Sequence, residues 1–194
     1  MTMKYILPIG VLAVTLFSAT AAADSWKIDD EQSSLHFISV KNDHIAEVHR
    51  FTDIQGVWEN NHVTIEIPVV SLDTNIPIRN ERMLEHIFKS TEYTVASATT
   101  RIDDEMFLQL APGDTIATAV ELQVTIAGNS QTLSSHIQAT RLADDRFLVT
   151  TTQPIMIDAR AFDFIAGVDK LREIAGLSRI DYSIPVSFSV QFKR

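Results

Sequence analysis

The sequence predicts an all-β protein, an antiparallel barrel of about eight strands with one or two short helices. Segments rich in β-branched and aromatic residues dominate the chain, and such residues favour strands. Short polar breaks that suit tight turns separate these segments, so consecutive strands are expected to be antiparallel neighbours. Closing the sheet into a barrel would remove its exposed edges. The predicted strands are residues 35–40, 51–59, 62–70, 93–101, 115–126, 131–142, 146–152 and 183–192.

Residues 1–23 are predicted to be a cleaved signal peptide. Lys4 is the only charged residue in this segment, an apolar run of about a dozen residues follows it, and Ala21 and Ala23 occupy the small-residue positions of a signal-peptidase site. The run is shorter than the roughly 20 residues that span a bilayer, so an uncleaved anchor is the less favoured alternative. We therefore expect residues 24–194 to form a single barrel domain in the periplasm.

Composition excludes several classes of protein. The chain has no cysteine, so no disulfide stabilises the exported fold and no lipid anchor is attached to a cysteine. Its net charge is −9 and no cluster of lysine and arginine is present, so the phosphate backbone of a nucleic acid would be repelled. The acidic surface fits a soluble exported protein that makes at most transient contact with a membrane or an envelope protein. The oligomeric state stays open.

A strand that runs into a short helix carries most of the functional information. From Val63 to Val69 every second residue is apolar, which indicates a strand with one face on an apolar interior. Residues 79–88 follow as an amphipathic helix that is placed to cover that interior. The predicted apolar face of this helix consists of Met83, Leu84, Ile87 and Phe88.

A second helix is predicted in residues 165–178, where Gly176 offers a C-terminal stop. One face of this helix is formed by Val168, Leu171, Ile174 and Ala175. Both helices are expected to cap a barrel end or an opening. Tight turns are predicted where Gly, Asn and Asp tolerate the required backbone angles, at residues 60–61, 103–104, 128–129 and 144–145.

An ordered series of short motifs resembles the YceI-like family over most of the chain that follows the signal peptide. The series includes a W-x-I-D start, an F-x-x-I-x-G strand, and SLDT followed by the helix R-N-E-R-M-L-x-x-x-F. The chain departs from many relatives in residues 41–51, a predicted loop that is longer and more charged than theirs, and at Thr94, where proline is usual. The positions that carry the resemblance are Trp26, Ile28, Asp29, Ser33, Phe37, Phe51, Ile54, Gly56, Tyr93 and residues 71–74, 79–88, 127–129 and 178–190.

The resemblance implies an exported lipocalin-like β-barrel that binds polyisoprenoids or other long-chain amphiphiles in a hydrophobic tunnel. The ligand would be an isoprenoid, a quinone or a fatty amphiphile, with no other cofactor and no catalytic group. Burial of each methylene contributes about 0.8 kcal/mol, which favours binding of a long chain. Plain core packing is the alternative for each apolar candidate. The candidates that the strand and helix patterns place near the interior are Phe37, Phe51, Ile54, Leu72, Met83, Leu84, Ile87 and Phe88.

Arg79 and Arg82 are the candidate polar residues of the ligand site. Guanidinium groups at a barrel mouth are suited to hold a pyrophosphate, a carboxylate or a quinone oxygen. The alternative is that they pair with Glu81, Glu85 or a strand carboxylate and only position the helix. The sequence leaves both roles open.

Neither a metal site nor a catalytic site is predicted. His36, His44 and His49 are close in sequence, but their spacings match no chelating pair, so we expect exposed histidines in a strand and a loop. Motifs such as G-x-S-x-G and H-E-x-x-H do not occur, and the protein is therefore predicted not to be an enzyme. The acidic groups that resemble catalytic pairs lie in predicted turns or at a strand start, at residues 29–31, 103–105 and 144–145.

Two functions stay open at this point. The first is a periplasmic protein that holds a hydrophobic amphiphile in a barrel cavity for storage, transport or protection. The second is a non-enzymatic envelope interaction protein whose barrel is filled by side chains. A continuous internal cavity would favour the first function, and a filled interior would favour the second.

Overall fold

The computed structural model describes residues 25–194, and twelve β-strands and three α-helices lie within that range. The predicted signal peptide, residues 1–23, lies outside the described residues. The strands are β1 (Ser25–Ile28), β2 (Ser34–Lys41), β3 (Ile45–Phe51), β4 (Gln55–Glu59), β5 (His62–Pro68), β6 (Leu72–Asp73), β7 (Val95–Arg101), β8 (Thr115–Ile126), β9 (Asn129–Leu142), β10 (Arg146–Thr151), β11 (Ile155–Asp158) and β12 (Ser183–Lys193). The helices are α1 (Pro77–His86), α2 (Asp104–Leu108) and α3 (Ile165–Ile174).

Eight of these strands close into an antiparallel barrel. They follow the order β1-β4-β5-β7-β8-β9-β10-β12, and β12 returns to pair with β1. The ring closes because one edge of β1 pairs with β4 while Lys27 and Ile28 lie opposite Lys193 and Phe192 of β12. The predicted all-β antiparallel barrel is therefore confirmed.

Several barrel strands are interrupted, which explains why twelve strands are present where the sequence predicts about eight. One edge of β12 pairs with both β1 and β2, and its other edge pairs with both β10 and β11. The predicted strand 51–59 is wrong as a single unit, because β3 ends at Phe51 and β4 begins at Gln55. Between them Ile54 is buried, and its backbone amide donates to the Asp30 carboxylate at 2.8 Å instead of continuing a strand ladder.

The charged segment 41–51 forms a β-hairpin with β2 rather than the predicted loop. Its turn contains Asn42 and Asp43 with φ values of 51° and 65°, a region that Asn and Asp adopt more readily than most residues. Side chains then alternate along β3, so that Val48 is 57% exposed and His49 is 2% exposed. The prediction that His49 is exposed is wrong, because its position in the two-residue period of the strand decides its burial.

The two predicted helices are present as α1 and α3, and Gly176 follows α3 with a φ of 63°. The predicted turn at residues 103–104 instead begins α2, where the Asp103 side chain accepts a hydrogen bond from the Glu105 amide at 3.1 Å. Aspartate suits both a turn and a helix N-terminus, so the residue type alone does not separate them. None of the helices in residues 25–194 has the length and apolar character needed to cross a membrane.

One end of the barrel is filled by a cluster that we call the aromatic plug. The rings of Trp26 and Trp58 stack with their centroids 5.6 Å apart. Asp104 of α2 accepts a hydrogen bond from Trp58 Nε1 at 2.6 Å, so α2 is tied to this end. The plug consists of Trp26, Trp58, Phe107, Phe147 and Phe192, each at most 4% exposed.

At the opposite end α1 and α3 pack against each other over the barrel. Gly167 of α3 lies against the backbone carbonyl of His86 in α1, and a Cβ atom at position 167 would clash with it. The glycine therefore permits the close approach of the two helices. This helix-covered end contains the candidate functional site.

Candidate ligand-binding cavity

An apolar cavity of about 480 Å³ occupies the half of the barrel that α1 and α3 cover. Small side chains contribute to this space, since Ala96 and Ala98 of β7 and Ala159 beyond β11 all line it. In the other half the interior is filled by the large rings of the aromatic plug. Ile54 and Val190 pack with the plug and also line the cavity, so they form its floor.

Aromatic side chains form one wall of the cavity, and the two helices form its roof. The rings of Phe37 on β2 and Phe51 on β3 lie 5.8 Å apart, and Phe51 meets Phe88, which follows α1, edge to face at 5.7 Å. From α3, Val168 and Leu171 point into the same space. The cavity is thus enclosed by apolar atoms over most of its surface, which suits a hydrophobic ligand.

The cavity opens at a region that we call the mouth, formed by the β2–β3 hairpin, the start of α1 and residues 177–181. Ile76 and Ile78 line the cavity and are at the same time 42% and 50% exposed, so they form an apolar rim. Most of the polar side chains of the cavity wall are found here. They are Ser39, Lys41, Glu47, His49, Arg79, Arg82 and Asp181.

Eight of the ten predicted ligand-binding residues line this cavity. Leu72 and Leu84 do not line it, and they pack in the surrounding hydrophobic core instead. Contact of any of the ten with a ligand stays a prediction. The eight that line the cavity are Phe37, Phe51, Ile54, Arg79, Arg82, Met83, Ile87 and Phe88.

Glu47 links α1 to the strands at the mouth. Its Oε2 atom accepts from Lys41 Nζ at 2.9 Å and from Arg79 Nη1 at 2.9 Å. Burial opposes the charge of this carboxylate, but its hydrogen bonds to Lys41 and Arg79 and their positive charges outweigh burial, so the pKa of Glu47 is lowered. Glu47 therefore remains ionised at neutral pH and holds two cations together.

His49 lies beneath this ion cluster. Its Nε2 atom is 2.8 Å from the Ser39 hydroxyl, and its ring centroid is 5.0 Å from that of Phe37. Burial, followed by the nearby charge of Arg79, lowers the pKa of His49 to about 4. The imidazole is consequently neutral at pH 7, and its Nδ1 atom is buried with no hydrogen-bond partner among residues 25–194.

The two arginines of α1 make different contacts. Arg79 donates from Nη1 to Glu47 and from Nη2 to the Thr74 carbonyl at 2.6 Å. The Arg82 side chain lines the cavity but makes no hydrogen bond or ion pair with any other described residue. Arg79 therefore pairs with a strand carboxylate, as one of the two sequence-based alternatives requires, and Arg82 does not.

The histidines predicted to be exposed do not assemble with acids into a metal site in the part of the chain that the structure describes. Within residues 25–194 no group of three or more histidine, aspartate or glutamate side chains is arranged to hold a metal ion. His44 is exposed in the hairpin turn. His36 is not part of the cavity wall, although its neighbours Leu35 and Phe37 are.

Comparison with known proteins identifies the family. The sequence profile of the YceI-like domain matches residues 26–192. The chain belongs to the YceI-like family. It is similar to the structure of a polyisoprenoid binding domain from Saccharophagus degradans implicated in plant cell wall breakdown, with 28% sequence identity and a TM-score of 0.84. That match covers 87% of this chain and 97% of the other, and the predicted family resemblance is confirmed.

More distant structures share the YceI-like fold. Burkholderia cenocepacia BcnA is 15% identical with a TM-score of 0.62, over 84% of this chain and 98% of the other. A mutant CJ YCEI protein with a monobromobimane guest is 14% identical with a TM-score of 0.52, over 98% of this chain and 97% of the other. At these identities the likeness shows the fold alone. No curated protein matches the chain.

Proposed function

We propose that this YceI-like protein binds a long-chain amphiphile, with the apolar tail in the cavity and the head group at the mouth. The observation that carries the proposal is the cavity itself, about 480 Å³ in volume, mostly apolar, with most of its polar side chains gathered at one end. A tail of roughly 20 methylene groups gains enough at about 0.8 kcal/mol each to offset even an association cost near 15 kcal/mol. No catalytic group is required.

The ligand class is a polyisoprenoid, a quinone or a fatty lipid. The similar domain from Saccharophagus degradans is described as polyisoprenoid binding, which supports an isoprenoid or related lipid for this chain. The predicted signal peptide in residues 1–23 supports export, so we infer that the protein shields its ligand from water in the periplasm. Storage, transport and protection all require such shielding.

The alternative, an interaction protein with a filled barrel, has less support. A filled barrel requires side chains to pack the whole interior, and only the end that holds the aromatic plug is packed in this way. The helix-covered half contains the cavity. We therefore favour ligand binding over a purely structural docking role.

Extraction and blocking of the cavity test the proposal. The purified protein should release a long-chain lipid into organic solvent, detected by mass spectrometry, and prenyl lipids or quinones should raise its Tm. Ala98→Phe places a ring in the cavity wall and should reduce both the extracted lipid and the Tm shift at least severalfold. Ala117→Phe is the matched control, because Ala117 lies exposed on β8. Equal lipid content in the two variants, or an empty extract and no Tm shift for the unaltered protein, would overturn the proposal.

A further inference from the structure

We infer that Arg82 binds the head group of the ligand and that this head group is an anion, a carboxylate or a phosphate. The inference rests on the proposed function, because it assigns the chemistry of one end of the same cavity. It also separates Arg82 from Arg79, its neighbour one turn earlier on α1. Residues three apart on a helix share a face, so both guanidinium groups are available to the mouth, and their contacts decide which one is free.

Arg82 is the basic residue of the cavity wall that has no ion pair in the part of the chain that the structure describes. Lys41 and Arg79 share the single carboxylate of Glu47, each at 2.9 Å. Asp181, the other acid of the cavity wall, lies 2.9 Å from Arg179, which also pairs with Asp43. Arg82 has no ion pair within residues 25–194.

Neighbouring groups do not neutralise the positive charge of Arg82. Glu81 and Glu85 precede and follow it on α1 but are exposed and make no ion pair with it in the described structure. The lowered pKa of His49 keeps that ring neutral at pH 7, so it contributes no charge of either sign. An anionic head group beside Arg82 would therefore meet a guanidinium group that has no ion-pair partner among the described residues, and it would displace no existing partner.

Arg79 is occupied and acts as a positioning residue. Its two Nη atoms are bonded to Glu47 of β3 and to the Thr74 carbonyl before α1. These bonds tie the start of α1 to the barrel. The Nε atom of Arg79 has no partner among residues 25–194 but is buried, so a ligand anion would have to break the two Nη bonds to reach the guanidinium fork of Arg79. Arg82 offers such a fork with no bonds to break.

The apolar rim next to Arg82 suits the junction between a tail and a head group. Ile78 lines the cavity one turn before Arg82, and Met83 lines it immediately after. A tail that enters between these side chains would leave its polar end at the level of the guanidinium group. Charged hydrogen bonds at such a site are worth roughly a tenfold change in affinity.

Binding measurements with matched amphiphiles test the inference. The dissociation constants of hexadecanoate, hexadecyl phosphate and hexadecanol are measured below their aggregation limits, together with those of geranylgeranyl phosphate and geranylgeraniol. The unaltered protein should bind the anions about tenfold more tightly than the alcohol with the same tail. Comparison of hexadecanoate with hexadecyl phosphate identifies which anion is preferred.

Three variants assign the preference to one residue. Arg82→Gln should weaken binding of the anions about tenfold more than binding of the alcohols, and should therefore abolish the preference for anions. Arg79→Gln should weaken binding of anions and alcohols alike, because it loosens α1, and should keep the preference. Arg101→Gln is the charge control, since Arg101 is exposed at the end of β7 and outside the cavity wall, and it should behave like the unaltered protein.

Each outcome separates the inference from the proposed function. If the alcohols bind as tightly as the anions, or if Arg82→Gln keeps the preference, the assignment of Arg82 is overturned while lipid binding stands. If the preference disappears in Arg79→Gln instead, the two arginines have exchanged roles and the inference fails. If neither tail binds in any form, the proposed function fails with it.

Discussion

The two ends of the barrel share strands such as β5 and β12 and differ in the side chains that lie inside. Along β12, Phe192 lies in the aromatic plug, whereas Val186 lines the cavity. Trp58 of β4 fills the end that holds the aromatic plug, and the small side chain of Ala96 on β7 leaves space at the helix-covered end. The difference indicates that dense packing and internal space are divided along the barrel axis. Dense packing at one end compensates for the dispersion contacts that a hollow end lacks.

The two ends are also closed by different forces. The plug is closed by ring packing, supported by Arg141, whose guanidinium carbon lies 4.5 Å from the ring centroid of Phe147. The other end, which contains the cavity and which we call the hollow end, is closed by α1. Arg79 ties this helix to Glu47 and Thr74. Polar contacts of this kind are weaker and are sensitive to pH and to competing ions. We therefore expect the hollow end to open more readily.

Replacement of phenylalanine by alanine at the two ends should give the largest difference in the free energy of unfolding. Phe147→Ala removes a fully buried ring that lies 5.0 Å from Trp26 and 5.1 Å from Trp58, and should lower the free energy of unfolding by about 3–5 kcal/mol. Phe37→Ala should cost less than half as much in the ligand-free protein, because Phe37 already borders the cavity. Urea unfolding measures both values.

The two phenylalanine variants should also differ in binding. Phe37→Ala should reduce affinity for an amphiphile because it removes part of the cavity wall, whereas Phe147→Ala should change affinity little once the protein is folded. Equal losses of stability at the two positions would contradict the division between a packed end and a hollow end.

The buried histidine should make the hollow end sensitive to acid. The pKa of His49 is lowered from 6.5 to about 4 in the folded protein. Below pH 6.5 the unfolded chain therefore binds a proton at His49 that the native state does not bind until the pH approaches 4. Stability is therefore lost progressively as pH falls from 6.5 towards 4, by up to about 3 kcal/mol. The Trp and Phe rings of the plug do not titrate and contribute no such dependence.

A variant without a titratable side chain at position 49 measures the contribution of His49 to the pH dependence of stability. His49→Gln keeps a group that can hydrogen-bond to Ser39 and should lose about 3 kcal/mol less than the unaltered protein between pH 6.5 and pH 4. Urea unfolding of the ligand-free proteins at several pH values provides the comparison. Parallel stability curves for the two proteins would show that His49 is not held neutral by its burial.

Most of the barrel could be predicted from the sequence because the strands alternate and the turns use Asn, Asp and Gly. The break between β3 and β4 could not, since Phe51 and Ile54 are both apolar and the Asp30 contact to the Ile54 amide comes from 24 residues away. The β2–β3 hairpin could not be predicted either, because its charged residues are more typical of a loop than of a strand. Burial of His49 follows from the strand period only after residues 45–51 are identified as a strand.

The candidate site was partly predictable for a related reason. The apolar face of the first helix indicates which residues point inward, and Met83, Ile87 and Phe88 do line the cavity. Leu84 on the same predicted face packs in the core instead. The period of a helix shows which residues face inward, but it does not show how far a cavity extends along that face. The pairing of Arg79 with Glu47 joins residues 32 positions apart, and no local pattern reports such a contact.

The smallest expected effect concerns the ion cluster that holds α1. Glu47→Gln removes the charge that pairs with Lys41 and Arg79 and should lower the free energy of unfolding by about 1 kcal/mol. Hydrogen exchange should increase in α1, where the Arg79 contact is lost, and should stay unchanged in α2 beneath the plug. Mass spectrometry of exchanged peptides resolves the two helices.

A matched ion pair elsewhere distinguishes a general charge effect from loss of this contact. Asp158→Asn breaks the pair between Asp158 and Arg160, also 2.9 Å long but more exposed, and should leave exchange in α1 as it is. If Glu47→Gln and Asp158→Asn affect α1 equally, the contact between Glu47 and Arg79 does not hold the helix. If only Glu47→Gln acts, faster exchange should accompany faster release of the proposed ligand, because a tail bound in the cavity would leave through the mouth that α1 helps to close.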